Sequence, residues 1–324
     1  MTFKALRLHD DTPRTRIEQI ETDALRSGDT LIQVEYSGLN YKDALAVTGK
    51  GKIIRDYPMV PGIDYAGKVI ESSTFTPGTD VILTGWGVGE KHDGGLAEQA
   101  HAKAKWLIER PEALTARHAM ALGTAGLTAM LAVMAIEEGG VTPGSGPVAV
   151  TGAGGGVGGI AIKLLTDLGH EVHAVSGRPE QAERLKALGA SAVIDRAELA
   201  RDAKPLEAGH WVAAVDAVGG QMLSTLLATS QPGAVITAMG NAGGIGLSTT
   251  VFPFILRGVR LQGIDSVFCP LNKRREAWQR LATAVPEAAL ADSITEISLD
   301  GVEHACEQLI AGQVAGRILV NLGR

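Results

Sequence analysis

Cysteine is scarce in this 324-residue chain: Cys269 and Cys306 are its two thiols. Two are too few for a disulfide framework or a cysteine-rich zinc site. They accord with a reducing compartment, and a cytoplasmic location is expected. Aromatic residues make up 4%, which argues against a stacking platform for single-stranded nucleic acid. A basic excess is also missing. The 30 Lys and Arg stand against 36 Asp and Glu, for a formal net charge of −6. Such a chain gains no general attraction to phosphate, so nucleic acid is not an expected partner. No secretory leader is visible, because MTFKALRLHDDTPR reaches acids before any apolar run. One uncharged stretch, residues 119–136, reaches the length at which a membrane span is considered. It carries Gly123, Gly126, Thr124 and Thr128 and stands alone, so a buried helix is expected and a membrane is not.

Glycine, by contrast, is abundant at 41 residues, without the G-X-Y period of collagen. With 45% hydrophobic and 20% charged residues, a sizeable core is possible, and the length suggests about two domains. Up to about residue 110 the chain reads as short strands, FKALRLH, TLIQVEYSGL, VPGIDYAGKVIES and TPGTDVILTG, separated by Pro-Gly and Gly-Asp turns. That pattern suggests a compact, irregular barrel-like unit. LTARHAMALGTAGLTAMLAVMAIEE then suits a helix, ended by the breaker cluster GGVTPGSGP. From Pro147 onward strands and helices alternate: PVAVTGA, VGGIAIKLLTDLG, EVHAVSG, PEQAERLKALG, SAVID, WVAAVDAV, QMLSTLLATS, AVITAMG and VRLQGID. Alternation of this kind implies an α/β fold with parallel strands joined by right-handed crossovers. A last helix and the strand GRILVNL close the chain. That strand needs a sheet to join, either the parallel one or the first.

The strongest signal is VAVTGAGGGVGGIAIKLL. A strand runs into a glycine loop and a helix follows, with small residues spaced Ala153-x-Gly155-x-x-Gly158. Ala153 permits the tight turn, Gly155 lets a pyrophosphate approach the backbone, and Gly158 lets helix pack on strand. The cradle for a dinucleotide is therefore Ala153, Gly154, Gly155, Gly156, Val157 and Gly158, with the helix N-terminus facing the phosphates. NAD-binding proteins place an acid at the end of the next strand. Here that strand ends Val175-Ser176-Gly177-Arg178. Ser176 can donate a hydrogen bond and Arg178 can meet a 2′-phosphate with a forked contact, so NADPH is the expected coenzyme. Arg196, after the following strand, is a further candidate for the adenosine phosphate. Gly240 and Ser266 lie in loops after later strands, where they can contact the coenzyme or simply turn the chain.

The runs LNYKDALA, GKGKIIRDYPMVPGIDYAG, LTGWGVGE, GGLAEQA, GTAGLTAM and TGAGGGVGG together resemble the medium-chain dehydrogenase/reductase superfamily. The resemblance covers essentially the whole chain. It is nearest to the zinc-free quinone-oxidoreductase branch and, within it, to the acryloyl-CoA reductases. It implies a GroES-like, partly open β-barrel catalytic domain from residues 1–118 and 297–324. A Rossmann domain with a doubly wound parallel sheet would occupy residues 119–296. It also implies NADPH-dependent reduction of an activated C=C bond in a small molecule, commonly by a homodimer. Zinc members of the superfamily hold the metal with Cys and His, with a Gly-His-Glu run where this chain has Gly62-Ile63-Asp64. Isoleucine cannot ligate and no cysteine precedes position 269, so no metal is expected.

The expected reaction is hydride transfer to the β-carbon of an α,β-unsaturated thioester. Donors then steady the enolate, and a proton goes to the α-carbon. Reduction of a quinone or a 2-alkenal is the alternative, and a non-catalytic NADPH-binding protein is a more distant one. Asn40, Tyr41, Asp43 and Asp64 are the candidate catalytic residues. Asn40 can donate an amide N–H. Tyr41 can touch the nicotinamide or give a proton. The two acids can orient the others, or one can serve as an acid raised by burial. Asn40 and Asp43 also look like a helix N-cap and first-turn pair. In the resembled family these positions, with Arg317, line the substrate cleft, and Arg317 is a candidate for a cofactor or substrate phosphate. Lys50, Lys52 and Arg55 are candidates for CoA phosphates, or a solvated loop. Trp86 can floor a pocket or pack in the core.

Overall fold

The computed structural model describes residues 2–26 and 28–323. The chain divides into two units. One holds the residues up to Thr124 together with those from Val267 onward, and the other is Ala125–Ser266.

In the first unit, β1 (Thr2–Leu8) and β2 (Thr15–Glu21) pair antiparallel. A sheet is then built on β3 (Thr30–Leu39), β4 (Asp64–Ser72), β5 (Asp80–Thr84), β6 (Gln99–Ala102) and β7 (Ile108–Glu109). β3 pairs with both β4 and β6, and β4 with β5. Leu8, Ile32, Leu39, Met59, Leu83 and Leu96 fill its core. Helix α1 (Tyr41–Val47) follows β3 directly, and α2 (Ala116–Glu138), whose residues from Ala125 on belong to the second unit, contains the uncharged stretch. α2 is long and apolar enough to cross a membrane, but its apolar window is mostly buried inside the protein. Burial of nearly all its side chains explains its apolar composition.

The second unit is a six-stranded, all-parallel sheet. Its strands are β8 (Pro147–Thr151), β9 (Glu171–Ser176), β10 (Ala192–Asp195), β11 (Trp211–Asp216), β12 (Ser230–Ala238) and β13 (Arg260–Gly263). They lie in the order β10-β9-β8-β11-β12-β13. Counted from β8 this is the doubly wound dinucleotide-binding order, with its reversal between β8 and β11. β11 is buried along its whole length, as expected of a strand covered on both faces. Helices α3 (Gly156–Asp167), α4 (Ala182–Ala187), α5 (Gly220–Ala228) and α6 (Phe252–Arg257) connect the strands.

After β13 the chain rejoins the first unit at Val267, not at residue 297 as the sequence suggested, and it first leaves that unit at Thr124, not at 118. The reason lies in α7 (Leu271–Ala284). Its Arg274 is buried and donates to the Thr84 carbonyl and hydroxyl at 2.7 and 2.8 Å, tying α7 to the end of β5. Trp86, half-buried, packs on the same core with the Arg274 guanidinium over its ring. Two more strands follow, β14 (Ile294–Ile297) and β15 (Arg317–Asn321), with α8 (Val302–Ile310) between them. β15 pairs antiparallel with β3, so the final strand completes the first unit's sheet and not the parallel one. That pairing brings Arg317 beside Leu39 and Asn40.

Candidate active site

The candidates converge where β3 ends, β4 begins and α2 breaks. Gly123 sits inside α2 with φ 50° and ψ −151°, a conformation essentially reserved for glycine. In an uninterrupted helix the Thr124 amide would donate to the Met120 carbonyl. Here it donates to Asp64 Oδ2 at 2.6 Å, and the Thr124 hydroxyl donates to Asp64 Oδ1. The carbonyls released by the break are taken by Arg317. Its Nε donates to Ala121 O at 2.9 Å and its Nη2 to Met120 O at 3.5 Å. Arg317 Nη1 reaches Leu39 O at 3.3 Å and Asn40 Oδ1 at 3.4 Å. Asn40 closes the ring, its Nδ2 donating to Asp64 Oδ2 at 2.8 Å and to Gly38 O at 3.1 Å.

Asp43 lies next to this ring, one turn into α1. It accepts the Asn40 amide at 2.8 Å, one half of a capping box, and the Ile63 amide at 2.9 Å. Asp43 therefore ties the start of α1 to the residue before Asp64. Burial, and then the charge of Asp64, push its carboxyl up to about 7. Burial also raises Asp64, opposed by the Thr124 donors, Arg317 and Asn40. Burial lowers Arg317, opposed by Asp64 and Asp43.

The raised Asp43 has a measurable consequence. The folded protein holds a proton there that the unfolded chain has lost, so this contribution is complete below about pH 4 and lost as pH rises through 7. His92, His118 and His170, lowered by desolvation, act in the opposite sense, and their effect fades as pH rises through the ordinary histidine value near 6.5. In urea unfolding the Asp43 component is therefore expected to lower stability as pH rises between about 5 and 8, with a slope of at most about 1.4 kcal/mol per pH unit from this one group. Asp43→Asn should flatten that slope. An unchanged slope in the variant would place the titration elsewhere.

Of the four residues expected to act on substrate, Asn40, Asp43 and Asp64 are thus engaged internally, and Asp64 is fully buried. Both Asn40 amide hydrogens already have acceptors. Tyr41, the first residue of α1, is 51% exposed and is the most exposed of the four. Arg317 is buried, and its guanidinium serves carbonyls of this chain and Asn40. The sequence marked Gly123 and Thr124 only as features of the uncharged stretch that speak against a membrane span, not as part of a site. Their signal was present in the run GTAGLTAM, where a glycine interrupts an otherwise strong helix pattern.

In the second unit the loops after β8, β11 and β12 meet at the sheet's reversal point. Thr151, ending β8, donates to Asp216 of β11 at 2.6 Å, and Asp216 accepts the Gly219 amide at 2.8 Å. Ala153 is buried in the turn, and Gly154 lies against Gln181, where a Cβ would meet its Oε1 at 1.8 Å. Gly155 is exposed and caps α3, which starts at Gly156 and Val157. A Cβ on Gly158 would lie 2.4 Å from Gly152 O, so only glycine allows this contact. Gly240 is pressed against Ala217 O, where a Cβ would sit at 2.0 Å. Ser266 closes the unit three residues past β13.

Ser176 ends β9, and its Oγ accepts the Arg178 amide at 3.2 Å. Arg196 follows β10 and passes over Gly177, where a Cβ would meet its Cδ at 2.2 Å. Ser176, Arg178 and Arg196 thus stand at the carboxyl ends of neighbouring strands. Asp195, overlooked in the sequence, pairs in register with Ser176, but its carboxylate accepts the Ala197 amide at 2.8 Å. The cradle fits a phosphorylated dinucleotide: an open glycine backbone, a helix start without a side-chain cap, and two guanidinium groups. Among the described residues, no three of His, Cys, Asp and Glu come together as metal ligands would.

Fold and cradle together define a two-unit reductase that uses a nicotinamide dinucleotide. Comparison with known proteins makes the assignment specific. The alcohol dehydrogenase GroES-like domain matches residues 26–112, and the zinc-binding dehydrogenase family matches 156–283. The probable acrylyl-CoA reductase AcuI of Escherichia coli (strain K12) is 50% identical over 324 residues, 99% of this chain and 100% of that protein. The acrylyl-CoA reductase AcuI of Ruegeria pomeroyi is 48% identical over 309 residues, 94% of each. The yhdH oxidoreductase from Salmonella enterica, solved in complex with NADP, superposes with a TM-score of 0.95 at 49% identity, covering 98% of this chain and 99% of that one. The chain belongs to the acrylyl-CoA reductase family of the medium-chain dehydrogenase/reductase superfamily.

Proposed function

We propose that this protein reduces the C=C bond of acryloyl-CoA to propanoyl-CoA with NADPH, without a metal. The observation that carries this is the identity of half its residues, end to end, with proteins named for that reaction. NADPH, when bound, supplies the hydride that reaches the β-carbon. Ala153 to Gly158 would hold its pyrophosphate, with Gly240 and Ser266 in the flanking loops, and Ser176, Arg178 and Arg196 would meet its 2′-phosphate.

The chain's own contribution to the chemistry is positional. Charge moving onto the thioester oxygen needs donors fixed in advance. Asn40, Asp43, Asp64, Thr124 and Arg317 form a rigid, buried support, and the Tyr41 hydroxyl projects from its edge. Tyr41 is the residue assigned to touch substrate or nicotinamide; the others are positioning residues. A network in which every hydrogen-bonding group has a partner holds such a group without reorganisation during the reaction.

A homodimer is part of this reading. β13 is the outer strand of its sheet. The segment leading into it exposes Ile245, Val251, Phe252, Ile255 and Leu256. An unpaired edge beside exposed apolar side chains is what a second copy would cover. Cys269 and Cys306 are both buried thiols, in accord with a cytoplasmic protein.

The test is a steady-state panel of acryloyl-CoA, crotonoyl-CoA, acrolein and a naphthoquinone, each with NADPH and with NADH, before and after a chelator. The highest kcat/KM is expected for acryloyl-CoA with NADPH, unchanged by chelation. A preference for the quinone, for NADH, or a loss on chelation would each overturn a named part of the proposal.

A further inference from the structure

The loop joining α1 to β4 carries three cations, Lys50, Lys52 and Arg55, within six residues of a chain whose net charge is −6. All three are exposed. Their side chains make no hydrogen bond or ion pair among the described residues. Three other basic residues of this part of the fold are engaged. Lys42 pairs with Glu90 at 2.7 Å, and Arg26 pairs with Asp56 at 3.1 Å and with Asp93 at 3.2 Å. Arg14 donates to Tyr57 Oη at 2.5 Å. Glu90, Asp56 and Asp93 are therefore each paired with a cation outside the loop.

The loop is also held in shape. Arg14 Nε donates to the Ala46 carbonyl at 3.2 Å, its guanidinium lies against Gly49, and its Nη2 reaches Tyr57, so one side chain clamps both ends. The Gly51 amide donates to Leu45 O at 3.1 Å. Ile54 is buried, and Ile53 packs on the same core. Apolar anchors and a clamp at both ends keep three unpartnered charges in place, an arrangement suited to a polyanion and of no evident use to the fold. α1 is seven residues long, which sets this loop about 10 Å along the helix from Tyr41. A thioester placed at Tyr41 has its anionic end far from its reacting carbon, at the other end of a long pantetheine arm.

We propose that Lys50, Lys52 and Arg55 bind the 3′-phosphate and pyrophosphate of the CoA moiety. The proposal rests on the acryloyl-CoA reading above and names the part of the substrate that this loop would recognise. Phosphate contacts of this kind add binding energy without touching the reacting bond, so they act on KM and not on kcat.

The test compares the full-length protein with the Lys50→Gln/Lys52→Gln/Arg55→Gln variant. A control carrying Lys4→Gln, Lys105→Gln and Lys204→Gln makes the same change in net charge elsewhere on the surface. Acryloyl-CoA and acryloyl-pantetheine, which lacks the phosphorylated nucleotide, are the substrates, and CoA itself is titrated by calorimetry. The loop variant is expected to raise KM for acryloyl-CoA at least tenfold and to weaken CoA binding by a similar factor. Its kcat, its KM for NADPH and its KM for acryloyl-pantetheine should stay within twofold, and the control should behave as the parent. CoA binding unchanged in the loop variant, or equal losses with both thioesters, would overturn the site. If the parent binds CoA and the loop variant does not, but neither thioester is reduced, the site stands and the acryloyl-CoA reading falls.

Discussion

Gly123→Ala is expected to lower stability by about 4 kcal/mol and kcat on the order of 100-fold. Two effects add. The backbone at φ 50°, ψ −151° is strained for any residue with a Cβ, by roughly 1–3 kcal/mol. The added methyl would then lie 2.6 Å from Asp64 Oδ2 and 2.9 Å from Arg317 Nη2, wedged between a carboxylate and a guanidinium. Neither can yield without breaking its other hydrogen bonds. Those bonds set the start of α1, so Tyr41 moves with them. Urea denaturation with kcat measured on the surviving fold checks both numbers. A variant within 1 kcal/mol of the parent that retains its kcat would show that the break in α2 is not what holds the site.

The second large effect is at Asp64, where two substitutions separate charge from hydrogen bonding. Asp64→Asn can keep its carbonyl oxygen toward the Thr124 amide and Asn40, and turn its amide toward the Thr124 hydroxyl, which then accepts. The hydrogen bonds survive, but Arg317 loses a buried counter-charge, at about 3 kcal/mol. Asp64→Ala loses the same charge and also leaves the Thr124 and Asn40 donors without acceptors, which adds roughly 1–3 kcal/mol. Asparagine should therefore be the milder variant. The charge of Asp64 also helps hold the Asp43 carboxyl up, so in Asp64→Asn the pH-dependent fall in stability should shift to lower pH. Equal losses in the two variants would mean that charge alone matters at this position. A pH profile that does not move would mean that the two acids are not coupled.

Much of the coenzyme cradle could be read directly. The strand Pro147–Thr151, the turn at Ala153 and the helix from Gly156 each obey local rules of pleat, turn and cap that operate over a few residues. The pair Asn40 and Asp43 was also legible, both as polar candidates and as the beginning of a helix. What those residues do was not. Asn40 points its amide at Asp64, a choice made by β4 arriving alongside β3. Arg317, which precedes the last strand, reads in the sequence as a candidate for a cofactor or substrate phosphate. Pairing of β15 with β3 buried it instead, beside carbonyls that a broken helix had released. Gly123 lay in a helix pattern strong enough to hide the break.

Composition, periodicity and glycine spacing by themselves determined an α/β chain in two parts, a dinucleotide cradle and a leaning toward the phosphorylated coenzyme. Each of these depends on backbone preferences and side-chain chemistry of near neighbours. Only the tertiary structure decided that the last strand joins β3, that residues 267–296 belong with the first unit, and that Asp64, Thr124, Asn40 and Arg317 share one buried network. Those outcomes depend on contacts between residues as many as 285 positions apart. Such contacts are chosen by which burial and hydrogen-bond pairing satisfies the whole chain at once, and no window of sequence contains that choice.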